Sequence, residues 1–349
     1  MKTSSLLLGA ASAAFLMAMA GVASAQSWAD STTVSGRMYY DLSDISNKVD
    51  GTKSGTNGTG FDITRFYVGI DHKFTDMFSG NITTDFQYNS TIGATEVYLK
   101  KAYLQATFSP EFSVRAGATD MPWIPYAESI YGYRYVDKTM TDKQGFGTSS
   151  DWGLHALGTF GVPADGNTLS YQVSVVNGNG YKNPTRAKNM DVEGRVSAVV
   201  GYQWNFAIGG YTGKLGKDVV GASPAVMHTA HRVDALAAWV GDHGRLGVEY
   251  FSANDWKNVT SVAEDKADGY SVFGTYRFNH DYQMFGRVDD VKPSKTAAPT
   301  KKDKFYNVGL TYSAFKNVDF SLVAKHDDIT STGHKTTNDE VGVFAQFQY

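Results

Sequence analysis

The sequence predicts an all-β fold: a sixteen-stranded antiparallel transmembrane β-barrel. Three observations predict it. From Thr32 to Tyr349, segments of roughly ten residues alternate apolar and polar positions, as spanning strands do. The connections between these segments alternate short and long. Beyond the first 25 residues, no stretch is apolar for the roughly 18 positions that a membrane helix needs.

At the N-terminus, Lys2 precedes an apolar run from Leu6 to Val22 and then Ala23-Ser24-Ala25. This is the pattern of a secretory signal peptide cut after Ala25, so residues 1–25 are expected to be a leader and 26–349 a single barrel domain. The sixteen strands are expected at 32–43, 61–74, 78–89, 95–108, 112–119, 151–162, 168–177, 190–202, 205–213, 230–240, 244–253, 267–278, 281–290, 303–313, 317–328 and 337–349. Short connections such as "TDM", "SPE", "GDHG" and "NHD" mark one rim. The longer ones, near 44–60, 90–94, 120–150, 178–189, 214–229, 254–266, 291–302 and 329–336, mark the other.

The two faces decide what surrounds the barrel. In 303–313, Tyr306, Val308, Leu310 and Tyr312 oppose Asn307, Gly309 and Thr311. In 317–328, Val318, Phe320, Leu322 and Ala324 oppose Asp319, Ser321, Lys325 and Asp327. A cylinder of sixteen strands is too wide for side chains to fill, so the apolar face must turn outward to lipid. Lipid also demands closure, because an unpaired backbone group in hydrocarbon costs several kcal/mol. The last strand, "EVGVFAQFQY", must therefore pair with the first. Phe74, Phe78, Phe108, Phe112, Phe160, Tyr202, Phe206, Phe278, Tyr282 and Phe315 flank the short turns and form the expected interfacial girdle. Two irregularities stand out. Apolar parity changes at Lys100-Lys101, where a β-bulge is expected. Phe273, Phe285, Leu236 and Val176 fall on the inner parity, which either an inward-folded loop or a different register would explain.

Composition excludes several functions. The chain has no cysteine, so iron–sulfur, thiolate-zinc and cysteine-nucleophile chemistry are out. A net charge of −3 argues against a nucleic-acid partner. Gly-x-Ser-x-Gly is absent, and His228 and His231 lack acids at zinc-site spacing. "VDDVK" and "HDDIT" are paired acids at strand ends, read as solvated charges before calcium ligands. No enzyme and no cofactor are expected.

The longest connection, Asp120 to Ser150, carries Trp123, Tyr126, Tyr131, Tyr133, Tyr135 and Phe146. Rings in such number need a wall to pack against, and the barrel interior supplies one. The segment is read as a constriction loop, with one short helix after Pro125. A flap over the mouth is the competing reading. Glu128, Arg134, Asp137 and Lys138 are the loop residues expected to meet a permeating solute. Arg37, Arg65, Arg115, Arg195, Arg232, Arg245, Arg277 and Arg287 all fall on the inner parity of strands. Exclusion of charge from lipid explains that placement by itself. Their guanidinium forks also suit oxyanions, whereas Asp41, Asp71, Asp85, Glu193, Asp234, Glu249 and Asp289 on the same face could neutralise them. Arg65, Arg115, Arg195, Arg245, Arg277 and Arg287 are taken as the pore-lining set.

The signal peptide, the strand rhythm, the long third loop and the terminal aromatic resemble the Gram-negative outer-membrane porins. "MPWIPYAESIYGYRYVDK", "SVVNGNGYKNPTRAKNMDVEGRV" and "GGYTGKLGKD" resemble the phosphate-selective porin O/P superfamily. The resemblance implies short periplasmic turns, long extracellular loops, an inward-folded third loop and passive diffusion of small hydrophilic solutes. It further implies a homotrimer in the outer membrane, with lipid and lipopolysaccharide as partners. The arginines above would then line the channel. Asp137 and Asp142 in the loop depart from a purely cationic pattern.

Overall fold

Alternation decides the fold strand by strand. In the computed structural model, which describes residues 31–89, 93–219, 221, 224 and 226–349, strand Lys302–Phe315 alternates exposed and buried positions over most of its length. Its lysines, tyrosines, Val308 and Leu310 face out; Asp303, Phe305, Asn307, Gly309 and Thr311 face in. The wall begins with β1 (Thr32–Val49), β3 (Gly58–Lys73), β4 (Phe78–Asn89), β5 (Ala94–Ser109), β6 (Phe112–Asp120), β7 (Ser150–Phe160), β8 (Thr168–Val176) and β9 (Asp191–Val200). The circuit continues through β10 (Trp204–Gly213), β11 (Ala230–Gly241), β12 (Gly244–Asn254), β13 (Lys266–Arg277), β14 (Tyr282–Lys292), β15 (Lys302–Phe315), β16 (Val318–Ser331) and β17 (His334–Gln348). The two-residue β2 (Thr52–Lys53) only folds back on the end of β1. Sixteen strands therefore form the wall, each antiparallel to its neighbours, and β1 pairs with β17 to close it. The proposed leader, 1–25, lies outside the described residues.

The wall is apolar outside and polar inside. Phe61, Ile208, Leu246 and Leu322 are each at least 60% exposed, while Asp85, His155, Asp234 and Ser321 are fully buried. Every ring of the expected girdle is exposed. An apolar side chain left in water forgoes roughly 1.5–3 kcal/mol. Dozens of them would exceed the whole stability of an ordinary domain, about 5–15 kcal/mol. Hydrocarbon removes that penalty.

All sixteen expected segments are strands, and the differences lie at the loop rim. β1 runs on to Val49, and β16 and β17 meet at a turn of Thr332 and Gly333, both at positive φ. The long connection expected at 329–336 is thus a tight hairpin. Its residues are polar because they stand above the lipid, where the ladder continues without an apolar signal: Lys48 pairs with Thr337 and Val49 with Thr336. The expected bulge is present: Thr83 pairs with Lys101 and Thr84 with Leu99, leaving Lys100 as the extra residue.

The core lies inside the barrel, between the third loop and the wall. Phe273 and Phe285 pack with Tyr131, Tyr133 and Tyr135; Leu236 packs with Trp123 and Ile124; Val176 packs with Met121 and Tyr211. The four side chains of anomalous parity are the wall's half of this core, and the register stands.

A candidate channel constriction

The third loop enters the barrel after β6 and returns at β7. Its first helix, α1 (Ile124–Tyr131), carries Pro125 in its first turn, where the missing N–H is no loss. It stops at Gly132, whose φ of 80° suits a residue without Cβ and whose N–H donates to Glu128 O at 2.9 Å. A second, one-turn helix, α2 (Met140–Lys143), follows Thr139.

The wall holds this loop by its backbone and its rings. Arg245 Nη1 donates to Ile130 O at 2.8 Å, and Arg232 and Arg287 donate to Phe146 O and Lys138 O. Glu249 accepts from Trp123 Nε1 at 3.0 Å and Thr141 Oγ1 at 2.9 Å; Glu193 accepts from the Trp123 N–H at 2.9 Å. Tyr133 stacks on Phe285 with centroids 3.9 Å apart, and burial pushes its hydroxyl up to about 12. Trp123 lies over Gly209, where a Cβ would come within 2.7 Å of its ring. These groups satisfy carbonyls and carboxylates that would otherwise be buried unpaired, each at about 1–3 kcal/mol.

Toward β1 and β3–β6 the loop leaves open space of mixed charge: a 480 Å³ cavity sets Arg65, Arg134, Lys138 and Lys325 against Asp41, Asp62, Asp137 and Glu340, and the cavities beside it are richer in cations. A 190 Å³ cavity is bordered by Arg65, Lys100, Arg134, Lys138 and Lys182, with Asp142 the one acid on its lining. The next cavity toward the turn rim shares Lys100 and Arg134 and adds Arg37 and Lys101 against Asp120 and Glu128. A third, of 370 Å³, shares Arg37, Lys100 and Lys101 against Asp71. Together they make a basic lane past the loop.

Partners separate neutralised from free charge. Arg65 bonds Asp85 at 3.1 Å and Gln87 at 3.0 Å; Lys101 meets Asp120 at 2.5 Å; Arg134 meets Glu128 at 2.6 Å. Other cations have neutral partners and, among the described residues, no carboxylate at ion-pair distance. Arg37 bonds Gln348 at 2.9 Å and Tyr39 at 3.3 Å. Lys100 sits 4.4 Å over the Tyr67 ring and Lys182 4.4 Å over Tyr98. Arg115 bonds Gln105 at 2.7 Å and lies 4.8 Å from the Tyr103 ring. Burial opposes the charge on Arg134, but Glu128 and other anionic neighbours outweigh it and raise its pKa.

Of the residues singled out by sequence, Arg65, Glu128, Arg134 and Lys138 border the lane, and Arg115 faces the same wall. Asp137 lies beside Lys143 at 3.7 Å and Lys325 at 4.0 Å. Burial would raise its carboxyl, but Lys143, Lys325 and Arg287 hold it below the usual range. Arg195 stacks 4.1 Å from Tyr126 of α1. Arg245 and Arg287 are engaged with loop carbonyls, and Arg277 stands at the turn rim on Asp242 O at 3.2 Å. Sequence reasoning missed Lys100, Lys101 and Lys182 as lane residues. The parity break at the adjacent lysines was the available signal for two of them; Lys182, in a loop, offered none. The acids of "VDDVK" and "HDDIT" meet cations: Asp289 with Arg287, Asp290 with Lys304, Asp327 with Lys143 and Asp328 with Lys335.

A closed, inside-polar barrel of sixteen strands with a loop folded into its lumen defines the class: the fold is that of the outer-membrane porins. Among solved structures, the chain is similar to the outer-membrane channel DcaP of Acinetobacter baumannii, with a TM-score of 0.64, 13% identity, and 91% of this chain and 97% of that one covered. An anion-selective porin from Comamonas acidovorans gives 0.59 and 11%, covering 91% and 99%. A loop-deleted OmpT of Vibrio cholerae gives 0.57 and 15%, covering 92% and 100%. No family model and no curated protein matches the sequence.

Proposed function

We propose that this chain is a porin of the Gram-negative outer membrane, passing small hydrophilic solutes by diffusion with a preference for anions. The observation that carries the preference is the basic lane, where Arg37, Lys100 and Lys182 keep their charge unneutralised by carboxylates. Cations focused in a narrow, low-dielectric passage raise the local anion concentration. A similar fold in an anion-selective porin supports the reading, and the trimer form of OmpT supports a homotrimer. Phosphate, suggested by the resemblance to phosphate-selective porins, is the first solute to try.

Reconstituted in planar bilayers under a salt gradient, the protein should conduct ohmically with a reversal potential on the anion side. Lys100→Ala with Lys182→Ala should lower the anion-to-cation permeability ratio several-fold. An unchanged reversal potential would remove these side chains from selectivity. Block of the current by micromolar phosphate would point to a solute-specific channel instead.

A further inference from the structure

The connection after β8 does not stay above its own strands. β8 ends at Val176 and β9 begins at Asp191, yet the residues between them reach β4 and β5, beyond β6 and β7. Gly178 and Gly180 turn the chain at φ of 88° and 73°, and one oxygen of Asp151 on β7 accepts both their N–H groups, at 2.9 and 3.1 Å. The Tyr181 N–H donates to Ser150 O at 3.0 Å, and Trp152 Nε1 donates to Tyr181 O at 3.2 Å. With the backbone pinned to this end of β7, the side chains of Tyr181 and Lys182 cross to β4 and β5. The Tyr181 hydroxyl donates to Asp85 Oδ2 at 2.6 Å, and its ring meets Tyr98 edge-on. Lys182 donates to Gln87 and lies over Tyr98.

Asp85 is the acid that could undo the lane. It shares the inward face of β4 with Gln87, and Arg65 reaches its Oδ2 at 3.1 Å. The residue is fully buried, and its Oδ1 finds no hydrogen-bond donor among the described residues. A buried carboxylate with an unused oxygen has a strong demand for a further donor or cation. Lys182, bonded two residues along the same face, stands a short swing away. Tyr181 keeps the two apart. Its hydroxyl occupies Oδ2, and its own place in the chain fixes its neighbour Lys182 over Tyr98.

We propose that Tyr181, an uncharged residue, helps set ion preference by sealing Asp85 away from the lane and so leaving Lys182 unneutralised. It is a positioning residue, acting through the carboxylate it caps. The inference deepens the reading of the chain as an anion-preferring channel and rests on it. Removal of the phenol opens Asp85 to the lane and lets it draw Lys182 into an ion pair. The lane then loses a free positive charge although no charged residue has been changed.

Reversal potentials in planar bilayers under a potassium chloride gradient test this as a double-mutant cycle. Tyr181→Phe should lower the anion-to-cation permeability ratio, and Tyr181→Ala should lower it further, to several-fold below wild type. Asp85→Asn, which takes the acid away, should raise the ratio. On the Asp85→Asn background, Tyr181→Ala should leave the ratio where Asp85→Asn set it. A ring that merely props the connection would move the ratio equally with and without the acid, and that result overturns the proposal. So do single Tyr181 variants with the wild-type ratio. Heat-dependent gel mobility verifies folding, and Tyr181→Phe carries the cycle if Tyr181→Ala does not fold. A wild type that is silent or prefers cations overturns the channel reading and this proposal with it. Unchanged ratios in an anion-preferring wild type overturn this proposal alone.

Discussion

Lys100 is one residue more than its ladder can use. Because β5 bulges there, two adjacent lysines serve the lumen, where strict alternation would have sent one of them into lipid at about 2–4 kcal/mol. The sequence displayed the anomaly but not its purpose, since a parity break reads the same whether it aims a side chain or merely ends a pairing. Lys182 was invisible for a different reason. It comes from a loop with no period, and only the fold brings it over Tyr98. Burial, then the charge of Arg65, pushes the Lys182 amino group below the ordinary lysine range; Lys138 adds to the push, while Asp85 and Glu96 pull back. Its proton therefore leaves before that of a solvated lysine as pH rises, and a positive charge leaves the lane with it. Anion preference should accordingly decline on moving from neutral to alkaline pH, and Lys182→Arg should hold it. Reversal potentials at the two pH values decide, and matching profiles for wild type and variant would refute the assignment.

At the scale of the element, the third loop behaves as a plug bolted to half of the wall. Its aromatic content was enough to send it inward, because the unmatched Phe273, Phe285, Leu236 and Val176 offered it a surface. The bolts could not be read from sequence. An inward arginine looks the same whether it faces water or a carbonyl, and Arg232, Arg245 and Arg287 are of the second kind. Arg232 also holds Asp234 at 2.7 Å and Glu193 at 3.2 Å, all three buried. Arg232→Ala would strand both carboxylates and should cost about 3–5 kcal/mol, read as a lower temperature for the heat-dependent mobility change. Glu249→Ala releases Trp123 and Thr141 together, so single-channel recordings should show larger and noisier conductance. A variant with quiet, wild-type openings would mean that the rings alone secure the plug.

For the whole molecule the governing fact is inverted polarity, and it was fully legible, since period two with one greasy parity admits no other answer for a wall this wide. What escaped was the part of the wall that rises past the lipid. There the ladder needs only backbone, and polar stretches such as Lys335 to Asn338 carry no face signal. Inverted polarity makes a paired prediction. Val308→Arg, on the lipid face, should destabilise folding into vesicles by about 2–4 kcal/mol, whereas Ser35→Arg, facing the lumen, should cost little. Equal costs in urea titrations of vesicle-bound protein would contradict the orientation of the wall.

The join between β1 and β17 has a further consequence. Gly36 and Tyr349 exchange N–H and carbonyl at 3.1 Å in both directions, and Arg37 reaches Gln348 across 311 positions of chain. Such a stitch cannot be made early. A nascent copy lacking its final strand is a ribbon with two bare margins, each able to recruit a stranger's strand. Delivery of the complete polypeptide must therefore precede commitment to the membrane, and whatever escorts it has to shield both margins until they find each other.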